Sequence, residues 1–266
     1  MNIRLHIAYD GGNYHGWQIQ PEDRTVEGTL TEAAAQILNA EADEVKVQGA
    51  SRTDSGVHAA GQVAHLECTE DRSLWDFARG LNALTPDDIC INRVEAAPPD
   101  FHARFSAQGK LYRFEIWNHR FRHPLRHERS WKVKQRLDVE AMSRAAEMMV
   151  GRHDFAAFRA ADCQSRSTER MMQRVAVHGQ GNHVFVEVQG NAFLKYMVRV
   201  MVGTLVDVGR GHYGAERIEE LLREGDRRRA GMTAPARGLT LVDVFYPDYP
   251  WEGGEPSIGT HWLPEG

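Results

Sequence analysis

The chain has little of what several protein classes require. Its 266 residues include only three cysteines, Cys68, Cys90 and Cys163, far apart and without a CxxC pair. That argues against a disulfide framework or a thiolate zinc site and for the reducing cytoplasm. No apolar run approaches the length of a membrane span, so no membrane partner is expected. Met1-Asn2-Ile3-Arg4-Leu5-His6 has no signal-peptide layout. Phosphate-cradling loops are missing too: Gly209-Arg210-Gly211-His212 has neither GxGxxG spacing nor a P-loop lysine.

Apolar residues make up 42% of the chain and charged residues 26%, ordinary values for a soluble globular enzyme. The length suits one large domain or two of common size. A net charge of −5 argues against a nucleic-acid partner, but its distribution argues the other way. Between Phe101 and Arg136 stand ten Lys/Arg against only Glu115 and Glu128, a local charge of +8 that leaves −13 for the remainder. Seven aromatic residues are interleaved: Phe101, Phe105, Tyr112, Phe114, Trp117, Phe121 and Trp131. Cations that track phosphates beside rings that stack on bases form the footprint of an RNA surface, although a solvated basic face has the same composition. None of the thirteen histidines stands in HExxH or His/Cys zinc spacing. His58 and His65, and His119, His123 and His127 among the basic residues, read as surface or RNA-facing groups, with no metal site.

The stretch Val47 to Val63 carries the strongest local signal. A β-rich lead-in runs into the small, polar loop Ala50-Ser51-Arg52-Thr53-Asp54-Ser55-Gly56, and the chain returns through the alternating run Gln62 to Glu67. Loops between rigid strands are where reactive side chains are placed. A carboxylate two residues after a guanidinium is held charged and oriented, as a nucleophile requires. The same residues also read as a plain hairpin turn.

Along the chain, alternation marks a strand over 3–9, and Thr25 caps a helix with Val26, Leu30, Ala33, Ala34, Ile37 and Leu38 on one face. Strands follow at 45–49 and 62–67, then a helix from Ser73 to Pro86 and a strand over 89–94. This is a split βαβ, or ferredoxin-like, order. Ala96-Ala97-Pro98-Pro99-Asp100 breaks the pattern. Beyond it come a strand at 108–117, a helix over 138–150, a hairpin at 171–189 turned by Gly179 to Asn182, and a long helix opened by Asn191. A short helix over 215–223 and a last strand over 239–245 complete the series. The order repeats, so a diverged duplication is expected, with an α+β fold of two mixed, mostly antiparallel ferredoxin-like halves. The divisions are 1–105, 106–248 and a peripheral, acidic tail, 249–266.

These residues resemble the bacterial TruA-type tRNA pseudouridine synthases. The resemblance runs through Tyr9-Asp10-Gly11, Gly16-Trp17-Gln18, Arg52-Thr53-Asp54 with Gly56-Val57-His58-Ala59, Gly61-Gln62-Val63 and Leu81-Asn82-Ala83. It continues through Phe101 to Phe105, His153-Asp154-Phe155, Asn191 to Arg199, Gly203-Thr204-Leu205 and Ala230 to Leu239. It implies a pseudouridine synthase fold and isomerisation of uridine at positions 38 to 40, in the anticodon stem-loop of tRNA, by a cytoplasmic homodimer without a cofactor. Asp54 matches the nucleophile, Tyr112 the tyrosine that packs on the target uracil, Arg52 the arginine of base flipping and Arg199 the partner of the catalytic carboxylate. Phe101, His102, Ala103, Arg104 and Phe105 fall where family members touch tRNA. So do Asp162, Cys163, Gln164, Ser165 and Arg166, with Arg72 and Arg120. Ser51, Ser55 and Phe114 depart from the usual Gly, Ala and Tyr, and the tail past Tyr249 has no clear counterpart.

The chemistry agrees with the resemblance. Breaking N1–C1′ and forming C5–C1′ is redox-neutral and transfers nothing to solution. Asp54 would attack C1′ or C6, between which the sequence does not choose. Arg199 lies off the Phe193/Met197/Val200 stripe and one turn before Gly203, where a neighbouring backbone has room to approach. A non-catalytic RNA-binding protein on ferredoxin-like sheets is the alternative, but RNP-type strand motifs are missing.

Overall fold

Ile3, Leu5 and Ile7 are buried, and this alternation builds the first strand, β1 (Asn2–Tyr9). The computed structural model describes residues 1–68 and 73–247. Thr25 caps α1 (Val26–Leu38), its hydroxyl accepting the Gly28 amide at 3.2 Å. Then come β2 (Gln48–Gly49), β3 (His58–Glu67), α2 (Leu74–Leu84) and β4 (Ile89–Ala96). Ser73 caps α2 through the Asp76 amide. β1 pairs antiparallel with β3 and β4, and β2 pairs antiparallel with β3. The order β4-β1-β3-β2 is that of a split βαβ sheet.

Among the described residues, the packing groups 1–108 with 241–247, and residues 109–240 form a second compact unit. In the second unit β5 (Gly109–Asn118) is joined in parallel by β6 (Trp131–Val133). α3 (Val139–Glu147), β7 (Gly151–Asp154), β8 (Glu169–Gln180) and β9 (His183–Gly190) follow. β9 pairs antiparallel with β5 and β8, and β8 with β7. The order β5-β9-β8 repeats the β1-β3-β2 order of the first unit. The helices α4 (Met197–Gly209) and α5 (Arg217–Glu224) close this unit. The final strand, β10 (Leu239–Phe245), lies beside β3 in the first unit from Leu241 onward.

Each unit has its own core. Leu5, Ile7, Leu30, Leu66, Phe77 and Leu81 fill the first, and Phe114, Ile116, Met142, Val186, Val200 and Met201 the second. Fully burying each large side chain is worth roughly 1.5–3 kcal/mol.

Two expectations change. The long helix begins at Met197, not at Asn191, because Tyr196 takes the left-handed region at φ 63 and cannot join a right-handed helix. Asn191 turns back on β8 instead, its side-chain carbonyl accepting the Met171 amide at 3.0 Å. The run at 45–49 yields only the two-residue β2, with Val45 and Val47 buried outside the ladder. Arg72 and the tail 249–266 lie outside the described residues.

Candidate active site

Asp54 stands in the loop between β2 and β3, partly exposed, with Ser51, Thr53, Val57 and His58 buried around it. The loop is bound at nearly every residue. The Trp17 amide donates to Thr53 O at 3.0 Å, and the Gly56 amide and Ser55 Oγ both donate to Tyr14 O at 3.3 Å. The Val57 amide closes the turn on Asp54 O at 3.1 Å. Gly16 makes this approach possible: at φ +89 any Cβ would fall 2.7 Å from the Thr53 carbonyl. Trp17, 1% exposed, fills the space beneath. His58 Nδ1 lies 2.9 Å from Asp10 Oδ1 and 3.1 Å from the Gly11 amide. The Gly11 amide donates to that nitrogen.

Arg52 is exposed beside this loop. Its charge acts on Glu27, whose carboxyl is pushed up by burial and pulled back by the Ile19 amide, Trp17 and Arg52. Glu27 accepts the Ile19 amide at 2.9 Å, so the 17–19 segment is pinned to α1.

In the second unit, Tyr112 lies on β5 and is buried, 6% exposed. Its ring meets Phe193 edge to face at 5.1 Å and 82°. Phe114, two residues on, is fully buried against Trp131, a place in the core that asks for no hydroxyl. Arg199 leaves α4 with Nε donating to Ala234 O at 2.8 Å and its guanidinium 4.7 Å over the Tyr196 ring. The Ala234 amide returns a bond to Arg199 O at 3.1 Å. The approach invited by Gly203 is made by Met232, whose carbonyl oxygen would lie 1.8 Å from a Cβ there.

Residues 6–106 and 145–247 match the family model described as tRNA pseudouridine synthase. The chain is 46% identical over 244 residues to tRNA pseudouridine synthase A of Pelobacter propionicus, covering 92% of this chain and 99% of that protein. To the proteins of the same description from Myxococcus xanthus and Shigella boydii it is 43% and 44% identical. The first match covers 93% of each chain, the second 98% of this chain and 95% of the other. The chain belongs to the tRNA pseudouridine synthase family.

It is therefore an isomerase that acts on tRNA, converting uridine to pseudouridine. The family match leaves out 107–144, which holds Tyr112, Arg120 and nine of the ten cations of the basic segment. Arg113 and Arg126 of that segment are committed within the protein, to Glu187 at 2.7 Å and Glu115 at 3.8 Å. Arg120, Arg122, Lys132, Lys134 and Arg136 are exposed. Arg120 lies 5.5 Å over the ring of Phe121, itself 65% exposed.

The segment 101–105 alternates in and out. Phe101 and Ala103 are buried, with Ala103 held by Tyr246 Oη at 2.6 Å and by His65 Nδ1 at 3.2 Å, while Arg104 and Phe105 are exposed. His102 Nδ1 accepts the Arg104 amide at 3.1 Å, and its ring packs 4.3 Å from Phe105. Burial and the neighbouring His102 lower the His65 pKa, which keeps its ring neutral and able to accept. The 162–166 loop is tied down by Asp162, which meets Lys195 Nζ at 2.6 Å and is held below the usual carboxylate range by that bond. Ser165 Oγ accepts from Arg170, Cys163 is half-buried, and Gln164 and Arg166 are exposed.

Sequence reasoning singled out Tyr9, Trp17 and Gln62 only as parts of motifs, and it read His58 and His65 as surface or RNA-facing groups, whereas both are buried. The fact that could have marked them is their chemistry: a phenol, an imidazole and an amide at positions whose strand pattern puts them inside.

Proposed function

We propose that Asp54 is the nucleophile of the isomerisation and that its target is uridine at positions 38 to 40, in the anticodon stem-loop of tRNA. The reaction breaks N1–C1′, turns the uracil and makes C5–C1′, with C5 giving up its proton and N1 taking one up, so atoms and electrons balance without a co-substrate. Attack at C1′ would free the base from the sugar, and attack at C6 would hold the base by its own ring. Either route needs an ionised carboxylate on a fixed backbone. The observation that carries the reading is a partly exposed Asp54 framed by four buried neighbours in a hydrogen-bonded loop.

A stacked uridine must be everted first, which costs a few kcal/mol. Stacking on Tyr112, about 1–3 kcal/mol by the usual measure of base–aromatic contacts, offsets much of this. Its edge-on packing with Phe193 fixes the ring plane before a base arrives. Exposed Arg52 fills the vacated stack or grips the flipped phosphate, and Arg199 serves as the arginine partner of the catalytic carboxylate. The tRNA runs along 101–105, 162–166, Arg72 and Arg120, on a homodimer working in the cytoplasm.

Incubating the protein with unmodified tRNA transcripts and mapping pseudouridine tests this. Asp54→Asn and Asp54→Ala should form none at positions 38 to 40 while tRNA binding persists. Residual turnover would remove Asp54 from the role, and modification elsewhere would remove the assigned target.

A further inference from the structure

We infer that Tyr9 and Gln62 are positioning residues for this isomerisation, a buried polar brace that sets the backbone leading into Asp54. The inference rests on Asp54 being the nucleophile. Gln62 lies on β3 and is wholly buried. Its Oε1 accepts the Ser51 amide at 3.2 Å, and its Nε2 donates to the Ser51 carbonyl at 2.7 Å. One side-chain amide thus satisfies both backbone groups of Ser51, as a neighbouring strand would, just where β2 has ended. Nε2 also lies 3.5 Å from Tyr9 Oη, and Tyr9 Oη is 2.7 Å from Thr53 Oγ1. Tyr9, at the end of β1, is 5% exposed, and Thr53 is 6% exposed.

The brace therefore holds residue 51 by its backbone and residue 53 by its side chain. Trp17 holds Thr53 from the opposite end of the same peptide, through the 3.0 Å bond to its carbonyl. Asp54 is the next residue, so its Cα position follows from bonds made by residues that never reach the substrate. A core concerned only with burial is served as well by Leu and Phe at these two positions. The amide and the phenol are needed only if the path of residues 51–53 must be fixed. A nucleophile displaced by about 1 Å loses about 100-fold in rate.

The test compares wild type with Tyr9→Phe, Thr53→Val, Thr53→Ser and Gln62→Met, measuring kcat and KM on unmodified tRNA, tRNA Kd and melting temperature. Tyr9→Phe and Thr53→Val each break the one bond between them, so each should lower kcat by about 10- to 100-fold with KM and Kd within two-fold. Combined, they should lose no more than the worse single variant, because they share that bond. Thr53→Ser, which keeps the hydroxyl, should regain most of kcat, and Gln62→Met should resemble Tyr9→Phe. Should Gln62→Met fail to fold, the Tyr9/Thr53 pair decides. Wild-type kcat in Tyr9→Phe and Thr53→Val overturns the brace, as do losses that appear in KM and melting temperature as strongly as in kcat. Asp54→Asn assayed alongside separates the two readings. Turnover there sinks the nucleophile, whereas an inactive Asp54→Asn beside a fully active Tyr9→Phe sinks the brace alone.

Discussion

The loop around Asp54 and the loop from His119 to Arg129 both join strands, yet they are built on opposite plans. In the first, buried side chains and backbone bonds determine the path, and little but Arg52, Asp54 and Ser55 reaches solvent. The second exposes Phe121 at 65% and Leu125 at 84%, and Arg120 and Arg122 stand open to solvent beside them. Chemistry on one atom demands placement to a fraction of an ångström, whereas attraction of a polyanion demands charge and reach. The loop around Asp54 is fixed by buried groups and backbone bonds, and the 119–129 loop turns charge and rings toward solvent.

The sharpest way to break this contrast is Gly16→Ala. A Cβ at φ +89, 2.7 Å from the Thr53 carbonyl, must move the backbone leading into Asp54. Loss of about 2–4 kcal/mol in urea unfolding and near-complete loss of turnover are expected. A fully active, fully stable Gly16→Ala would show the loop to be soft.

Asp243, on β10 of the same unit, sharpens the picture through pH. It is 3% exposed, and burial pushes its carboxyl up to about 6, opposed only by the Val244 amide. Its folded pKa is raised, so its contribution is complete below about pH 4 and is lost as pH rises to about 6. The loss is at most about 3 kcal/mol, from roughly two pKa units at 1.36 kcal/mol each. Asp243→Asn should flatten that part of the stability curve relative to wild type, as chemical denaturation across pH 4 to 7.5 would reveal. Parallel curves would contradict it.

Arg120→Ala with Arg122→Ala tests the other loop. Melting should not change, while tRNA binding weakens and its salt dependence becomes shallower by about 0.7 for each single-strand phosphate no longer neutralised. Should this pair destabilise the fold as Gly16→Ala is expected to, the contrast fails. The smallest effect belongs to Asp162→Asn: an exposed ion pair with Lys195 contributes little, so a thermal melt should be unmoved.

Much of this was legible in the residues themselves. Thr25 and Ser73 announced two helix starts because capping chemistry is local. Gly203 announced the approach of a neighbouring backbone, since only a missing side chain admits one. The start of α4 was not legible, because the left-handed turn of Tyr196 is imposed by its surroundings and tyrosine has no preference for it. β6 and β7 escaped notice as runs of three and four residues, too short for a pattern. The brace of Tyr9, Thr53 and Gln62 was hidden because its members come from separate segments, and sequence order does not tell which amide faces which hydroxyl.

The Met232 carbonyl sits where Gly203 would carry a side chain, and Arg199 exchanges bonds with Ala234 in the same strip of chain. The helix and this strip are thereby keyed together, like a tooth in a notch, and neither can slide along the other without collision. Any displacement of the Arg199 guanidinium is consequently rotation about its own side-chain bonds, with the helix beneath it held in place.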